Sequence, residues 1–179
     1  MVGKIYLIIS MTEAQSLVEL LRYRNMSRQK KLLIKAYSDS RYGDGSCDWW
    51  PRGVIIKSAD TVKTTGESDL FRTIDRIGYS GLEQYKLIFI DDVQDYCNGS
   101  KVCLQLADRG HDIITCAHSG FMLQKMLSEL LNLNDTTEVM TAVNNLTENQ
   151  HIMLTISPLP LFNPASLNTI IFDKFRSIE

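Results

Sequence analysis

Tyr85-Lys86-Leu87-Ile88-Phe89-Ile90-Asp91-Asp92-Val93-Gln94-Asp95-Tyr96 is the stretch on which the fold turns. Its first six residues form a nearly continuous apolar run of strand length, as expected of a strand buried on both faces. The run stops at two adjacent carboxylates, Asp91 and Asp92. Similar runs lie on either side: residues 4–9 (KIYLII), 31–37 (KLLIKAY), 112–117 (DIITCA), 138–143 (EVMTAV) and 151–156 (HIMLTI), with a shorter one at 53–57 (GVIIK). Helical period fills the gaps. Thr12 and Glu13 precede Leu17, Val18, Leu20 and Leu21, which is helix-start chemistry followed by an apolar stripe. Ser68 caps a helix over 68–77; Val102, Leu104, Leu106 and Ala107 mark another, closed by Gly110. Met122, Leu123, Met126, Leu127, Leu130 and Leu131 place a helix within 120–133. Residues 38–52, rich in Gly, Ser and Asp, read as a loop. The tail from Ser157 holds three of the four prolines and shows no clear pattern.

This alternation predicts an α/β fold with a mainly parallel sheet and helices on both faces. Ligands in such folds bind beyond the carboxyl ends of the strands. Two loops therefore carry the functional expectation: Ser10–Ser16 after the first strand and Asp91–Tyr96 after the central one.

Composition narrows the function classes. The 179 residues, 44% hydrophobic and 22% charged, are one ordinary globular unit rather than a disordered or fibrous chain. A chain of this size buries about 70% of its unfolded surface and needs no disulfide framework. The N-terminal apolar stretch is too short for a secretion signal, and no apolar run reaches membrane-spanning length, so a cytoplasmic protein is expected. Nineteen basic against 21 acidic residues leave a net charge of -2, with no electrostatic case for nucleic acid or membrane as the main partner. Cys47, Cys97, Cys103 and Cys116 contain no CxxC pair, so reduced thiols are expected rather than a local zinc site.

The order and spacing of several segments resemble the type-II thymidine kinases, a family shared by cells and large DNA viruses. Gly3-Lys4-Ile5 and Leu7-Ile8-Ile9 resemble the strand leading into the family's phosphate loop, and Glu19-Leu20 the Glu-Leu of its next helix. Ile34-Lys35 and Arg41-Tyr42-Gly43 resemble the second strand and its loop. Ile90-Asp91-Asp92-Val93-Gln94-Asp95-Tyr96 is similar to the family's I-D-E-G-Q-F-F segment. The spacing then continues through Cys103, Ala107, Gly110, Ala117, Gly120 and Lys125 to Leu131-Asn132-Leu133. Met140-Thr141-Ala142-Val143 matches a K-L-T-A-V strand. The resemblance covers about four fifths of the chain. It implies a P-loop-NTPase-like core over residues 1–143, followed at 144–179 by a remnant of the family's lid and zinc subdomain and a tail.

Departures from the pattern shape the functional expectation. Where the family has G-P-M-F-S-G-K-S/T, this chain has Ser10-Met11-Thr12-Glu13-Ala14-Gln15-Ser16-Leu17. Both glycines that let N–H groups converge on phosphate are missing, and Ser16 replaces the lysine. Glu13 adds a negative charge there; one such repulsion at ~4 Å and an effective dielectric near 20 is about 4 kcal/mol before solvent relaxes. Ser10, Gln15 and Ser16 are thus degraded phosphate-loop positions. The resemblance makes Asp91 the Mg²⁺-associated acid, Asp92 the counterpart of the family's Glu base, one methylene shorter, and Gln94 the family's Gln. Asn144-Asn145-Leu146-Thr147 stand where a CxxC belongs, so no zinc site is expected there. The family's substrate-covering region, here Glu148 to Pro164, is short and altered.

Other chemistry-bearing residues have plainer readings. Ser10 and Ser16 show no base partner and read as caps or loop residues. His111 and His118 lie at opposite ends of one strand, too far apart to share an ion, and read as ordinary histidines. Trp49-Trp50-Pro51 either anchors a partner or plugs the core edge. A fainter similarity, in Tyr6–Ser10, Gln15-Ser16-Leu17 and Asp75-Arg76-Ile77-Gly78-Tyr79-Ser80, is to the serine recombinase catalytic domain. There Ile8 and Tyr79 occupy arginine positions, and the second motif comes before the central strand rather than after it. The resulting expectation is a catalytically inactive thymidine-kinase-like protein with no cofactor. It would act through protein partners, either its own copies or an active thymidine kinase. The alternatives are a residual thymidine kinase using Mg-ATP, a nucleoside-binding module and, more distantly, an inactive recombinase-like domain.

Overall fold

A computed structural model describes residues 1–12, 30–35, 60–63, 70–131, 136–148, 150–158 and 169–176. The expectations for the helix following Thr12, the loop at 38–52 with Trp49 and Trp50, the strand at 53–57, the Ser68 cap, Gln15 and Ser16 lie outside these residues.

The chain forms β1 (Ile5–Ser10), β2 (Lys31–Lys35), β3 (Asp60–Lys63), α1 (Leu70–Ile77), the short α2 (Tyr79–Leu82), β4 (Leu87–Ile90), a 3₁₀ turn (Val93–Asp95) and α3 (Gly99–Asp108). It continues with β5 (Asp112–His118), α4 (Phe121–Leu131), α5 (Thr137–Asn144), β6 (Gln150–Ser157) and β7 (Thr169–Arg176). One seven-stranded sheet runs in the order β3-β2-β4-β5-β1-β6-β7. The first five of these strands are parallel, while β6 is antiparallel to β1 and β7 to β6. The α/β class with a mainly parallel sheet is therefore the one expected from the sequence.

The apolar strands explain the central position of β1, β4 and β5. Every residue of β4 is buried, as a strand covered on both faces requires. On one face, Ile5, Leu7, Ile9, Leu32, Ile34, Ile88, Ile90, Ile113 and Ala117 join a single core. The helices contribute Leu70 and Ile74 from α1, Val102 and Leu106 from α3, Leu127 and Leu130 from α4, and Val139 and Val143 from α5. On the other face Ile8, Leu33, Phe89, Ile114 and Cys116 are also buried. Among the described residues no helix is long and apolar enough to cross a membrane.

Two local devices lock α3 in place. It ends in a Schellman motif, with His111 N–H donating to the Leu106 carbonyl and Gly110 N–H to that of Ala107. Gly110 has φ 94°, which an L side chain rarely adopts. Just before α3, the Asn98 side-chain oxygen accepts the Leu70 N–H at 2.9 Å and so satisfies the start of α1 from 28 residues away. Asn98→Ala would leave that buried donor orphaned. It is expected to cost about 1–3 kcal/mol, read as a lower urea midpoint with unchanged slope; an unaltered midpoint would contradict this.

The expected strand at 138–143 is instead helix α5. Val139, Thr141 and Val143 alternate in a strand-like way, but Val139 and Val143 are also four apart. The fold buries this second pairing, while Glu138 and Thr141 stay exposed. Three elements carried too little pattern to be expected: the mostly polar edge strand β3, the four-residue α2, and β7 beyond the proline-rich segment.

Candidate functional site

The carboxyl ends of β1, β4 and β5 lie side by side, and Ser10, Asp91, Asp92 and Gln94 of the residues singled out in the sequence sit there. Asp91 follows β4 directly and extends its ladder, its N–H donating to the Ile34 carbonyl at 3.1 Å. Asp92 is the one non-glycine among the described residues with positive φ (43°, ψ 58°). This left-handed conformation costs of order 1–3 kcal/mol for a non-glycine residue, with Asn and Asp among the most tolerant, and it swings the chain into the 3₁₀ turn. Asp95 N–H donates to the Asp92 carbonyl at 2.9 Å to close that turn. Both aspartates are buried, at 3% and 5% exposure.

β5 supplies the partners. Its alternation puts Cys116 and His118 on one face at its carboxyl end. The Cys116 thiol lies 3.3 Å from Asp91 Oδ1 and 3.9 Å from Asp92 Oδ1. It also accepts the Asp92 N–H at 3.3 Å. His118 Nδ1 is 3.6 Å from Asp92 Oδ1. Gln94 reaches back to the same strand, its Oε1 accepting the His118 N–H at 3.0 Å and its Nε2 lying 3.1–3.2 Å from the imidazole nitrogens. Gln94 thus ties the turn to β5. Burial, with the neighbouring Asp91 and Asp92 charges, pushes the Cys116 thiol well above its usual range. Burial and the same two carboxylates likewise raise the Tyr96 phenol. The Tyr96 hydroxyl is buried with no hydrogen-bond partner among the described residues.

Ser10 lies across β5 from Asp91, in register with His118. It is fully buried, and its hydroxyl donates to the Thr12 carbonyl at 2.7 Å. Ser119 grips the same turn, donating from N–H to the Ser10 carbonyl and from its hydroxyl to the Met11 carbonyl. Gln15 and Ser16 lie outside the described residues. His111 has an ordinary structural contact, Nδ1 2.8 Å from the Tyr85 carbonyl.

The structure therefore brings Asp91, Asp92 and Gln94 together and adds Cys116, His118 and Tyr96, which the sequence reading did not place there. The expectation of an ordinary histidine at His118 comes from its distance to His111 at the far end of the strand, whereas the structure sets it beside Asp92 and Gln94. The available signal was the Cys-x-His spacing at the end of β5, which puts both side chains on one face. Cys103 and Cys116 are buried cysteines outside any disulfide, and Cys97 is an exposed one.

The thymidine kinase family model matches residues 3–153. The thymidine kinase of Rabbit fibroma virus (strain Kasza) is 28% identical over 145 residues, covering 79% of this chain and 74% of the viral protein. Among solved structures, the pilus retraction motor PilT with bound ADP is similar at a TM-score of 0.42 and 12% identity. That similarity covers 99% of this chain and 48% of PilT, so this chain spans about half the length of that protein.

Proposed function

The chain belongs to the thymidine kinase family, and on that premise we propose that it is a catalytically inactive member, acting through its surface on protein partners. The observation that carries this reading is the engagement of the Asp91–Asp92 pair. A general base must come within ~2.6–3.2 Å of the hydroxyl it deprotonates. Asp92, at the family's base position, is instead buried, with Cys116 and His118 against it. Sequence adds a second support: the phosphate-loop register holds Glu13 and Ser16, with neither glycine nor lysine. The donor set also matches Mg-ATP poorly. Mg²⁺ favours oxygen ligands in near-octahedral order, whereas a thiol abuts Asp91, and the Ser10 hydroxyl is turned onto its own chain.

The partners proposed are further copies of this chain or an active thymidine kinase. Residues 144–179 are proposed as the remnant of the family's lid and zinc subdomain, and the cytoplasm as the location. Residual thymidine phosphorylation is the competing reading, favoured by the survival of two carboxylates beyond β4.

Thermal-shift titrations separate the readings. A ligand at 100 times its dissociation constant adds about 2.7 kcal/mol of stability. No shift is expected with Mg-ATP, thymidine or dTTP, together with no thymidine phosphorylation. Turnover that disappears in Asp92→Asn would overturn inactivity. A shift with thymidine or dTTP alone would replace the interaction module with a nucleoside-binding one.

A further inference from the structure

At the end of the sheet away from Asp91 and Asp92, the turns that enter β4 and β5 enclose a cavity of about 360 Å³. Small-molecule sites occupy ~300–1,000 Å³. The lining consists of Tyr79, the segment Glu83–Lys86 and the segment Arg109–His111. We propose that this cavity binds a small hydroxyl-bearing phosphomonoester of sugar-phosphate size, with Arg109 and Lys86 on the phosphate. The length of β4 separates it from the aspartate pair, and it does not depend on the inactive-kinase reading. Its frame is fixed by bonds between the two turns. His111 Nδ1 lies 2.8 Å from the Tyr85 carbonyl, Asp112 N–H donates to the Lys86 carbonyl at 2.9 Å, and the Lys86 ammonium donates to the Gly110 carbonyl. Gln84 is held as well, its Nε2 donating to the Gly81 carbonyl and its Oε1 accepting from Lys30. Tyr85 and His111, each 7% exposed, are the buried part of the lining. A carbonyl only accepts, so Nδ1 of His111 carries a proton, and Nε2 is left for an occupant.

Arg109 gives the cavity its chemistry. A cation just past the last turn of α3 is ordinary. Its guanidinium, however, lies over the Tyr79 ring, 3.5 Å from the centroid, and takes no protein hydrogen bond or ion pair among the described residues. Stacking restrains the fork while its N–H edge stays available to two oxygens of one group. The Lys86 ammonium has two N–H bonds beyond the one spent on Gly110. Arg109 and Lys86 outnumber Glu83, the one carboxylate of the lining, so a single phosphate is attracted and a second acidic group is not. Glu83 can only accept, which suits hydroxyls on the ligand body. The volume equals about twelve waters at ~30 Å³ each. That is room for a sugar phosphate and too little for a nucleoside triphosphate.

Ribose 5-phosphate is the probe, titrated calorimetrically into the full chain. It is expected to bind, inorganic phosphate to bind more weakly, and ribose not to bind. Arg109→Ala should weaken binding about tenfold or more. Arg109→Lys should not restore it, because a point charge lacks the fork. Arg109 is exposed, so both variants should keep the wild-type melting temperature. The chain has three histidines, and NMR of their imidazoles locates the ligand without any variant. The His111 signals should move on adding ribose 5-phosphate, while those of His118, at the other end of β5, should stay. A wild-type chain that binds none of the probe overturns the proposal. So does binding no tighter than that of inorganic phosphate, binding unchanged in Arg109→Ala, or a shift confined to His118.

Discussion

Gly99→Ala is expected to destabilise the protein by about 3 kcal/mol, although glycine-to-alanine changes within helices ordinarily stabilise by about 0.5–1 kcal/mol. The reversal comes from space, since a Cβ on Gly99 would lie 2.3 Å from the Val93 carbonyl oxygen and 2.8 Å from Val93 Cγ2. The nearer atom belongs to the backbone and cannot rotate away, so α3 or the 3₁₀ turn must move. That turn carries Asp92 and Gln94 into the site, and displacing it would also loosen the Gln94–His118 contacts. At about 2–4 °C per kcal/mol for a chain of this length, the melting temperature should fall by about 10 °C. Gly120→Ala is the control, because nothing lies within 4 Å of its Cβ position. Equal melting temperatures for the two variants would refute the packing argument.

Stability is expected to fall steeply above about pH 9. Burial pushes the Cys103 thiol from an ordinary 9.0 up to about 12, and Cys116 is raised in the same direction. Each thiol keeps its proton in the folded state at pH values where the unfolded chain has lost it. The native state then binds more protons, so unfolding free energy decreases as pH rises. The contribution is fully present below about pH 9 and is lost as pH climbs through the folded value. For Cys103, three pH units at about 1.4 kcal/mol each amount to about 4 kcal/mol. The raised Tyr96 phenol adds loss of the same sign from pH 10 upward. Unfolding free energies from urea titrations at pH 8 and 10.5 should differ by about 2 kcal/mol through Cys103, with Cys116 adding loss of the same sign, and Cys103→Ala should remove its share. A flat profile, or an unchanged slope in Cys103→Ala, would show that these thiols ionise as readily folded as unfolded.

Much of the fold was legible because buried parallel strands are written as apolar runs. β1, β2, β4 and β5 needed only such runs to be recognised, and α4 only its 3–4 spacing. Reading failed where the local signal was short or double. EVMTAV carries strand and helix periods together, and its burial against the core decides for helix. β3 and β7 gain their strand character from a neighbour's edge rather than from their own pattern.

At the site, two aspartates ending the central strand and Gln94 after them are legible in the residues alone, and the family resemblance aligns a phosphate-loop register without glycine or lysine. These are local facts of residue type and spacing. What the aspartates face is set by strand pairing. Asp91 and Cys116 are 25 residues apart, and they meet because β4 and β5 pair in parallel register with α3 crossing between them. Whether a carboxylate acts as a base or belongs to a buried cluster depends on its neighbours across the sheet, and strand pairing chooses those neighbours.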